Sequence, residues 1–252
     1  MKAIYSIFLM VAAVALLVLS VPVHASKMDR RIESSAKQSY LFKTYLLGDD
    51  IKIQSKDGVV TLTGTVAEES HKSLAQETVA SLPGVKSVDN GLEVKGERPA
   101  ENSDAWRMMK VKTTLLLHRS VSGFKTEINV KDGIVTLRGE AASQAQKDLT
   151  TEYAKDVEGV KDVKNEMTVA KTSVKPDKTL GEKVDDASIT AQVKMMLLSH
   201  RSTSALNTKV KTKNGVVTLG GKAKNAAEKD LAAKFANDVK GVKSVNNQMT
   251  IE

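Results

Sequence analysis

One nine-residue stretch occurs three times and decides the fold. It reads Lys56-Asp57-Gly58-Val59-Val60-Thr61-Leu62-Thr63-Gly64, then Lys131-Asp132-Gly133-Ile134-Val135-Thr136-Leu137-Arg138-Gly139, then Lys213-Asn214-Gly215-Val216-Val217-Thr218-Leu219-Gly220-Gly221. Asp-Gly or Asn-Gly between two alternating apolar runs is the strongest short signal for a β-hairpin, because a type I′ turn needs positive φ at both central residues. Each copy therefore predicts a hairpin.

A helix and a third strand are predicted after every hairpin. Leucines, aromatics and valines recur every four residues, which indicates an amphipathic helix. Ser143 with Gln146, and Asn225 with Glu228, fit capping boxes at its start. A Gly-Val-x-x-Val signature follows, and its glycine lies 26 positions after the turn glycine in all copies; Gly84, Gly159 and Gly241 fit the C′ position of the helix.

These elements, with a further helix before each hairpin, predict an α+β fold of three tandem αββαβ domains. Each domain is expected to have a small three-stranded mixed sheet with two helices on one face, because the helix between the second and third strands implies a parallel crossover. We expect these domains at residues 29–97, 104–171 and 184–252, called units 1, 2 and 3 below. Polar stretches that contain Pro and Gly separate these domains. They predict linkers between three domains that do not pack against one another.

Residues 1–25 are expected to be a signal peptide. Lys2 precedes an apolar run from Ile4 to Leu19, Pro22 breaks the run, and Val23-His24-Ala25 suits cleavage before Ser26. The alternative is an uncleaved anchor, since residues 4–23 are long enough to span a bilayer. Cleavage is the favoured interpretation, and it predicts a periplasmic location.

The repeated motifs resemble the BON domain family (bacterial OsmY and nodulation). The resemblance rests on the triplicated x-[DN]-G-[VI]-V-T-L-x-G strand and the later G-V-x-x-V, and it covers nearly all of residues 29–252. It implies a likeness to osmotically inducible periplasmic proteins built from tandem copies, which usually carry two rather than three. It also implies association with phospholipid or the cell envelope and no catalysis.

The composition offers little for enzyme chemistry. The chain has no cysteine, which excludes disulfides, Cys-zinc sites and Cys nucleophiles. It lacks the G-x-S-x-G, P-loop, G-x-G-x-x-G and H-E-x-x-H motifs, and residues 26–252 hold one histidine per unit. We therefore predict no enzyme activity, no cofactor and no metal site.

Several repeated or single residues admit a structural and a functional interpretation. His118 and His200, each in His-Arg-Ser at the end of a leading helix, are expected to complement the helix dipole, with a pH-sensitive phosphate contact as the alternative. Asn90, Asn165 and Asn247 are expected to hydrogen-bond nearby backbone. Trp106 either packs against a core or a neighbouring domain, or anchors the protein at a lipid interface.

The positive charge is concentrated in unit 3. Residues 185–252 contain 11 basic and 6 acidic residues, whereas the other two units are nearly neutral. Five lysines of the third hairpin are candidates for binding anionic lipid: Lys209, Lys211, Lys213, Lys222 and Lys224. The alternative is a merely solvated sheet surface.

Two functions remain open at this point. The first is a periplasmic, non-enzymatic envelope protein that binds anionic phospholipid at the membrane surface, in osmotic or envelope stress. The second is a periplasmic chaperone or scaffold for other envelope proteins that uses sheet edges. Nucleic acid is disfavoured as a partner, because export removes the chain from it and the aromatic-interleaved basic stretch of single-strand binders is missing.

Overall fold

The computed structural model describes residues 23–96, 99–170, 183–203 and 207–252. Most of the expected signal peptide, residues 1–22, and most of the second expected linker, residues 171–182, lie outside this part of the chain. The described helices are α1 (Val23–Gln38), α2 (Tyr40–Thr44), α3 (Glu69–Ala80), α4 (Asp104–Leu117), α5 (Gln144–Lys155), α6 (Asp186–Ser199) and α7 (Ala226–Asn237).

Three small mixed sheets, one per unit, account for the strands. They are β1 (Asp50–Lys56), β2 (Val59–Val66) and β3 (Ser87–Val94); β4 (Thr126–Lys131), β5 (Ile134–Ala141), β6 (Asp162–Asn165) and β7 (Thr168–Val169); and β8 (Thr208–Lys213), β9 (Val216–Ala223), β10 (Ser244–Asn247) and β11 (Thr250–Ile251). We call these sheet 1, sheet 2 and sheet 3.

Each sheet has the predicted topology. The hairpin is antiparallel, and the last strand runs parallel to the second strand of the hairpin. In units 2 and 3 a two-residue interruption divides the last strand into two short ones that both pair with the same neighbour. The predicted α+β class with three αββαβ repeats is confirmed.

The hairpin turns have the backbone that their sequences predict. Asp57 and Gly58 have φ values of 54° and 82°, and the two other turns repeat these values within about two degrees. A carboxylate also braces each turn: Asp104 Oδ2 accepts the Asp132 N–H at 2.6 Å, and its Oδ1 accepts the Gly133 N–H at 2.9 Å. The equivalent aspartates do the same in the other units: Asp29 lies in the middle of α1, and Asp186 lies at the start of α6.

The ends of the second helices confirm one prediction and correct another. Ser143 and Asn225 accept the N–H groups of Gln146 and Glu228, as capping boxes require. The later glycines do have positive φ, but α5 ends at its C-cap Asp156, so Gly159 lies three residues beyond the cap rather than next to it.

The three units pack against one another, which corrects the expectation of independent domains drawn from the linkers. One apolar cluster contains core residues of units 1 and 3 together, whereas unit 2 has a cluster of its own. Helix α6 of unit 3 lies at the centre: nine of its 14 residues are buried, and it packs against α3, α4, α7 and β8. The Tyr40 N–H donates to Asp185 Oδ2 at 2.7 Å, and the Leu41 N–H donates to Ser188 Oγ at 3.2 Å.

Candidate functional site

Four of the five candidate lysines lie on one exposed face of sheet 3. Lys209, Lys211 and Lys213 alternate along the edge strand β8, and Lys222 shares this face near the end of β9. Lys224 is also exposed but lies beyond the end of β9, in the turn before α7. The alternation follows from the period of two in a strand, which sends Val210 to the core and its lysine neighbours to the solvent.

The outer face of sheet 3 differs from the same face of the other sheets. Its remaining strand positions carry no carboxylate within the described residues; they are Val216, Thr218, Gly220, Ser244, Asn246 and Thr250. On sheet 2, Glu127 and Asp162 are mixed with basic residues, and Arg138 is paired with Glu166 at 2.8 Å. On sheet 1, Asp89 and Glu93 accompany the lysines. Only sheet 3 therefore presents positive charge without nearby acidic partners in its strands.

Trp106 lies apart from this lysine face, near the start of α4 in unit 2. It is half-buried, and Lys110 Nζ stands 3.9 Å from the centroid of its indole ring. Lys110 also pairs with Glu158 at 2.8 Å. The structure thus separates the two groups of candidate lipid-contact residues onto different units.

The repeated asparagines have the structural role predicted for them. Asn165 Nδ2 donates to the Lys147 carbonyl on α5 at 2.9 Å, and its Oδ1 accepts the Met167 N–H at 3.0 Å. Asn90 and Asn247 make the equivalent bonds in units 1 and 3. These amides tie the last strand to the second helix.

The prediction for His118 and His200 is wrong. Each histidine is the C-cap residue of its leading helix, but both are buried, with 2% and 1% of their surface exposed, and their ring nitrogens do not bond to the carbonyls of their own helix ends. Each ring reaches across to the other unit: His118 Nδ1 lies 2.7 Å from Asp238 Oδ2, and His200 Nδ1 lies 2.9 Å from Asp156 Oδ2. Their Nε2 atoms face each other at 2.9 Å. We call this group, with its aromatic and serine neighbours, the histidine cluster.

The histidine cluster has approximate two-fold symmetry between units 2 and 3. Tyr153 stacks on His118 with ring centroids 3.6 Å apart, and Phe235 stacks on His200 at 4.0 Å. Ser120 and Ser202 donate to the two aspartates. The backbone repeats the exchange, because the Arg119 N–H donates to the Asp238 carbonyl and the Arg201 N–H donates to the Asp156 carbonyl.

Sequence reasoning missed the partners of these histidines, although the repeats carried a signal. Counting back from the Gly-Val glycine, Asp156 and Asp238 occupy the third position, and Tyr153 and Phe235 occupy the sixth. The first copy has serine and threonine there, at residues 81 and 78, and it also lacks His-Arg-Ser. All parts of the cluster are thus present in units 2 and 3 and missing from unit 1.

The described ranges contain no group of three or more His, Cys, Asp or Glu side chains placed to hold a metal ion. Within the same ranges, no helix combines the length and the apolar character that a bilayer-crossing segment needs.

Comparison with known proteins identifies the repeated unit. The family model described as the BON domain matches residues 28–96, 103–171 and 185–252. The chain belongs to the BON domain family. It is 30% identical over 199 residues to the osmotically-inducible protein Y of Escherichia coli (strain K12), which covers 79% of this chain and 96% of that protein.

A second relative is named as an outer membrane protein. The outer membrane lipoprotein DolP of Haemophilus influenzae is 34% identical over 114 residues, covering 45% of this chain and 56% of that protein. Among solved structures, CdsD, a structural protein of the type III secretion system of Chlamydia trachomatis, matches 88% of this chain and 90% of its own, at 16% identity and a TM-score of 0.24. A likeness at that score supports no conclusion about fold or function.

Proposed function

We propose that this BON-domain protein is a non-catalytic component of the cell envelope, exported to the periplasm, that binds anionic phospholipid through the lysine face of sheet 3. The observation that carries the proposal is the set of four exposed lysines on one sheet face with no acidic residue among its strand positions. The relative named as an outer membrane lipoprotein and the expected signal peptide support the location. The relative named as osmotically inducible supports a role in osmotic or envelope stress.

The strength of the electrostatic attraction between each lysine and the membrane determines how many lysines are needed for binding. A lysine near an anionic membrane surface contributes about 1 kcal/mol, so one lysine alone binds negligibly whereas four acting together provide useful affinity. The attraction falls off within about 8–10 Å at physiological salt, so the flat sheet must approach the headgroups closely. We therefore expect binding that weakens strongly as salt is raised.

Co-sedimentation with vesicles of phosphatidylglycerol and phosphatidylcholine, compared with phosphatidylcholine alone, tests this proposal. The test variant is Lys209→Glu with Lys213→Glu. Unit 1 provides a matched control, because Lys52→Glu with Lys56→Glu changes the same net charge at the equivalent positions of strand β1. We expect the unit 3 variant to lose most binding to anionic vesicles and the unit 1 variant to retain it.

Equal losses in the two double variants would mean that net charge, not the face, controls binding. Binding to neutral vesicles as strong as to anionic ones would refute the electrostatic mechanism. Trp106 provides a separate readout: a blue shift of its fluorescence on vesicle addition would place the start of α4 at the lipid surface as well.

A chaperone or scaffold function is the second candidate, supported by the edge strands of the three sheets. An added strand can pair with such an edge, but lysines on an edge oppose this, so β8 is the least suitable of the three outer hairpin strands. Suppression of client aggregation in the absence of lipid, undiminished by Lys209→Glu with Lys213→Glu, would favour this function over the first.

A further inference from the structure

The histidine cluster joins units 2 and 3 at a point where two imidazole rings meet edge to edge. The two Nε2 atoms are 2.9 Å apart, which is hydrogen-bond distance, and both rings are almost completely buried. Such a contact between two ring nitrogens requires one of them to carry a proton and the other to offer a lone pair. The positions of the protons therefore decide whether this contact is attractive.

The aspartates fix the protons on the outer nitrogens. An ionised carboxylate can only accept hydrogen bonds, so the Nδ1 atoms of His118 and His200, which contact Asp238 and Asp156, must each carry a hydrogen. Two neutral rings in this tautomer would point two lone pairs at each other. Two fully protonated rings would point two N–H groups at each other. Only a pair with one additional proton forms the Nε2–H···Nε2 bond.

The electrostatics of the cluster agree with this proton count. Burial opposes ionisation of Asp238, but hydrogen bonds from His118 and Ser120 outweigh it and lower the pKa of this carboxyl. Burial likewise opposes ionisation of Asp156, and bonds from His200 and Ser202 lower its pKa. Both aspartates are then ionised at neutral pH. Burial is the main cause that lowers the pKa of His118 despite the bond to Asp238, and the charge of His200 adds to it, so a proton on His200 disfavours a second one on His118.

We propose that a single proton shared between His118 and His200 strengthens the contact between units 2 and 3, so that this contact is tightest near pH 6.5 and loosens in both directions. The histidine cluster is then a proton-dependent contact between two units. Unit 1 lacks every part of the cluster, so this contact acts between units 2 and 3 only.

The other charged groups around the two histidines come from both units. They do not change the requirement for one additional proton on the pair. Arg119 Nε stands 3.7 Å from Asp238 Oδ1, and Arg201 Nε stands 3.5 Å from Asp156 Oδ1, so each carboxylate has a cation on its outer side. The Tyr153 hydroxyl donates to Asp238 at 3.1 Å, and burial raises the pKa of this tyrosine to about 12. Tyr153 therefore stays neutral, and the two arginines balance the two aspartates.

The expected pH dependence follows from comparing proton binding in the closed and open states. A histidine exposed to water ordinarily accepts its proton near pH 6.5, whereas the closed pair accepts one shared proton. The closed state is thus weakened about threefold at pH 5.5 and pH 7.5 relative to pH 6.5, and up to about 25-fold at pH 8.5. On the acid side the open state gains a proton that the closed pair excludes, and on the alkaline side the closed pair holds a proton that the open state releases.

Amide hydrogen exchange in the full chain measures this opening directly. The N–H groups of Arg119 and Arg201 bond across the interface, so their protection factors report how often units 2 and 3 separate. The Lys161 N–H, which bonds to the Gly133 carbonyl inside unit 2, is the internal control. We expect the interface amides to show a protection maximum near pH 6.5 between pH 5.5 and 8.5, and the control amide to show none.

The variant His200→Gln separates a shared proton from ordinary packing. Its side-chain amide can donate to His118 Nε2 without an additional proton, so the loss of protection on the alkaline side should disappear while the acid side remains. His71→Gln is the matched control, because His71 also contacts an aspartate, at 2.7 Å, but lies in unit 1. It should retain the maximum.

Nitrogen-15 spectra of the histidine rings give a second readout that does not depend on any variant. At pH 6.5 a scalar coupling between the two Nε2 nuclei is expected, as a direct consequence of the shared hydrogen. The proposal is overturned if this coupling is missing, if interface protection is constant within about twofold from pH 5.5 to 8.5, or if His200→Gln has the profile of the unaltered chain.

Discussion

Asn165 connects the last strand of unit 2 to helix α5, and removing its side chain should destabilise this unit measurably. Its Nδ2 donates to the Lys147 carbonyl at 2.9 Å and to Thr151 Oγ1 at 2.7 Å, and its Oδ1 accepts the Met167 N–H at 3.0 Å. A typical intramolecular hydrogen bond contributes about 1 kcal/mol, so Asn165→Ala should lower the free energy of unfolding of unit 2 by about 2–3 kcal/mol.

Unit 2 is well suited to this measurement because it has its own core and contains the single tryptophan of the chain. Urea unfolding followed by Trp106 fluorescence monitors the surroundings of α4 in this unit. Asn129→Ala is the matched control, since Asn129 is exposed on the outer face of sheet 2 and the same substitution there should change stability by less than about 0.5 kcal/mol. If the two variants unfold at the same urea concentration, the hydrogen bonds of Asn165 do not stabilise the unit.

The variant Asn165→Asp tests the direction in which stability changes with pH. A carboxylate can still accept the Met167 N–H, but it can no longer donate to the Lys147 carbonyl, so only its protonated form restores that bond. The pKa of the new carboxyl should be raised in the folded state. Its contribution to stability is then present at low pH and lost as pH rises through that value. A variant that gains stability relative to the unaltered chain between pH 4 and pH 7 would contradict this reasoning.

Two further perturbations test other parts of the structure. Tyr153 has a pKa raised to about 12, chiefly by burial, so one tyrosine should resist ionisation in a 295 nm titration up to that pH, and Tyr153→Phe should remove this late step. Any stability linked to this hydroxyl is present below pH 10 and lost toward pH 12, and simultaneous ionisation of all tyrosines near pH 10 in the folded chain would argue against the burial. Gly133→Ala places a β-carbon at a φ of 81° and 3.1 Å from Lys161, so thermal unfolding should show a loss of about 1–2 kcal/mol, whereas Gly220→Ala, in open strand surroundings, should be near neutral. Equal effects at the two glycines would mean that the turn backbone is not the cause.

The fold within each unit was predictable because its signals are local. Asp-Gly and Asn-Gly specify the hairpin turn through their tolerance of positive φ, and the change from a period of two to a period of four marks the passage from strand to helix. Val60 and Leu62 are completely buried, as their alternation predicts. The lysines of β8 are exposed for the same reason.

The arrangement of the units was not predictable from such signals, because its contacts join residues far apart in the sequence. The sequence places His118 at the end of its own helix and predicts an interaction with the helix dipole, yet its carboxylate partner lies 120 residues away. Likewise, the apolar residues of α6 predict a buried face but do not specify that α3 of another unit covers it. A polar linker indicates a boundary in the chain and says nothing about whether the flanking domains pack together.

The core shared by units 1 and 3 affects how the chain can be made. The bond from Tyr40 to Asp185 closes a segment of 145 residues, and synthesis at about 5–20 residues per second needs roughly 7–30 s to produce it. During that interval the nascent unit 1 has its own helices α1 and α3 on its sheet but lacks α6, which packs against α3. Stalled or truncated products that end before α6 would therefore expose apolar surface that chaperones or proteases recognise. Only completion of the C-terminal third buries this surface.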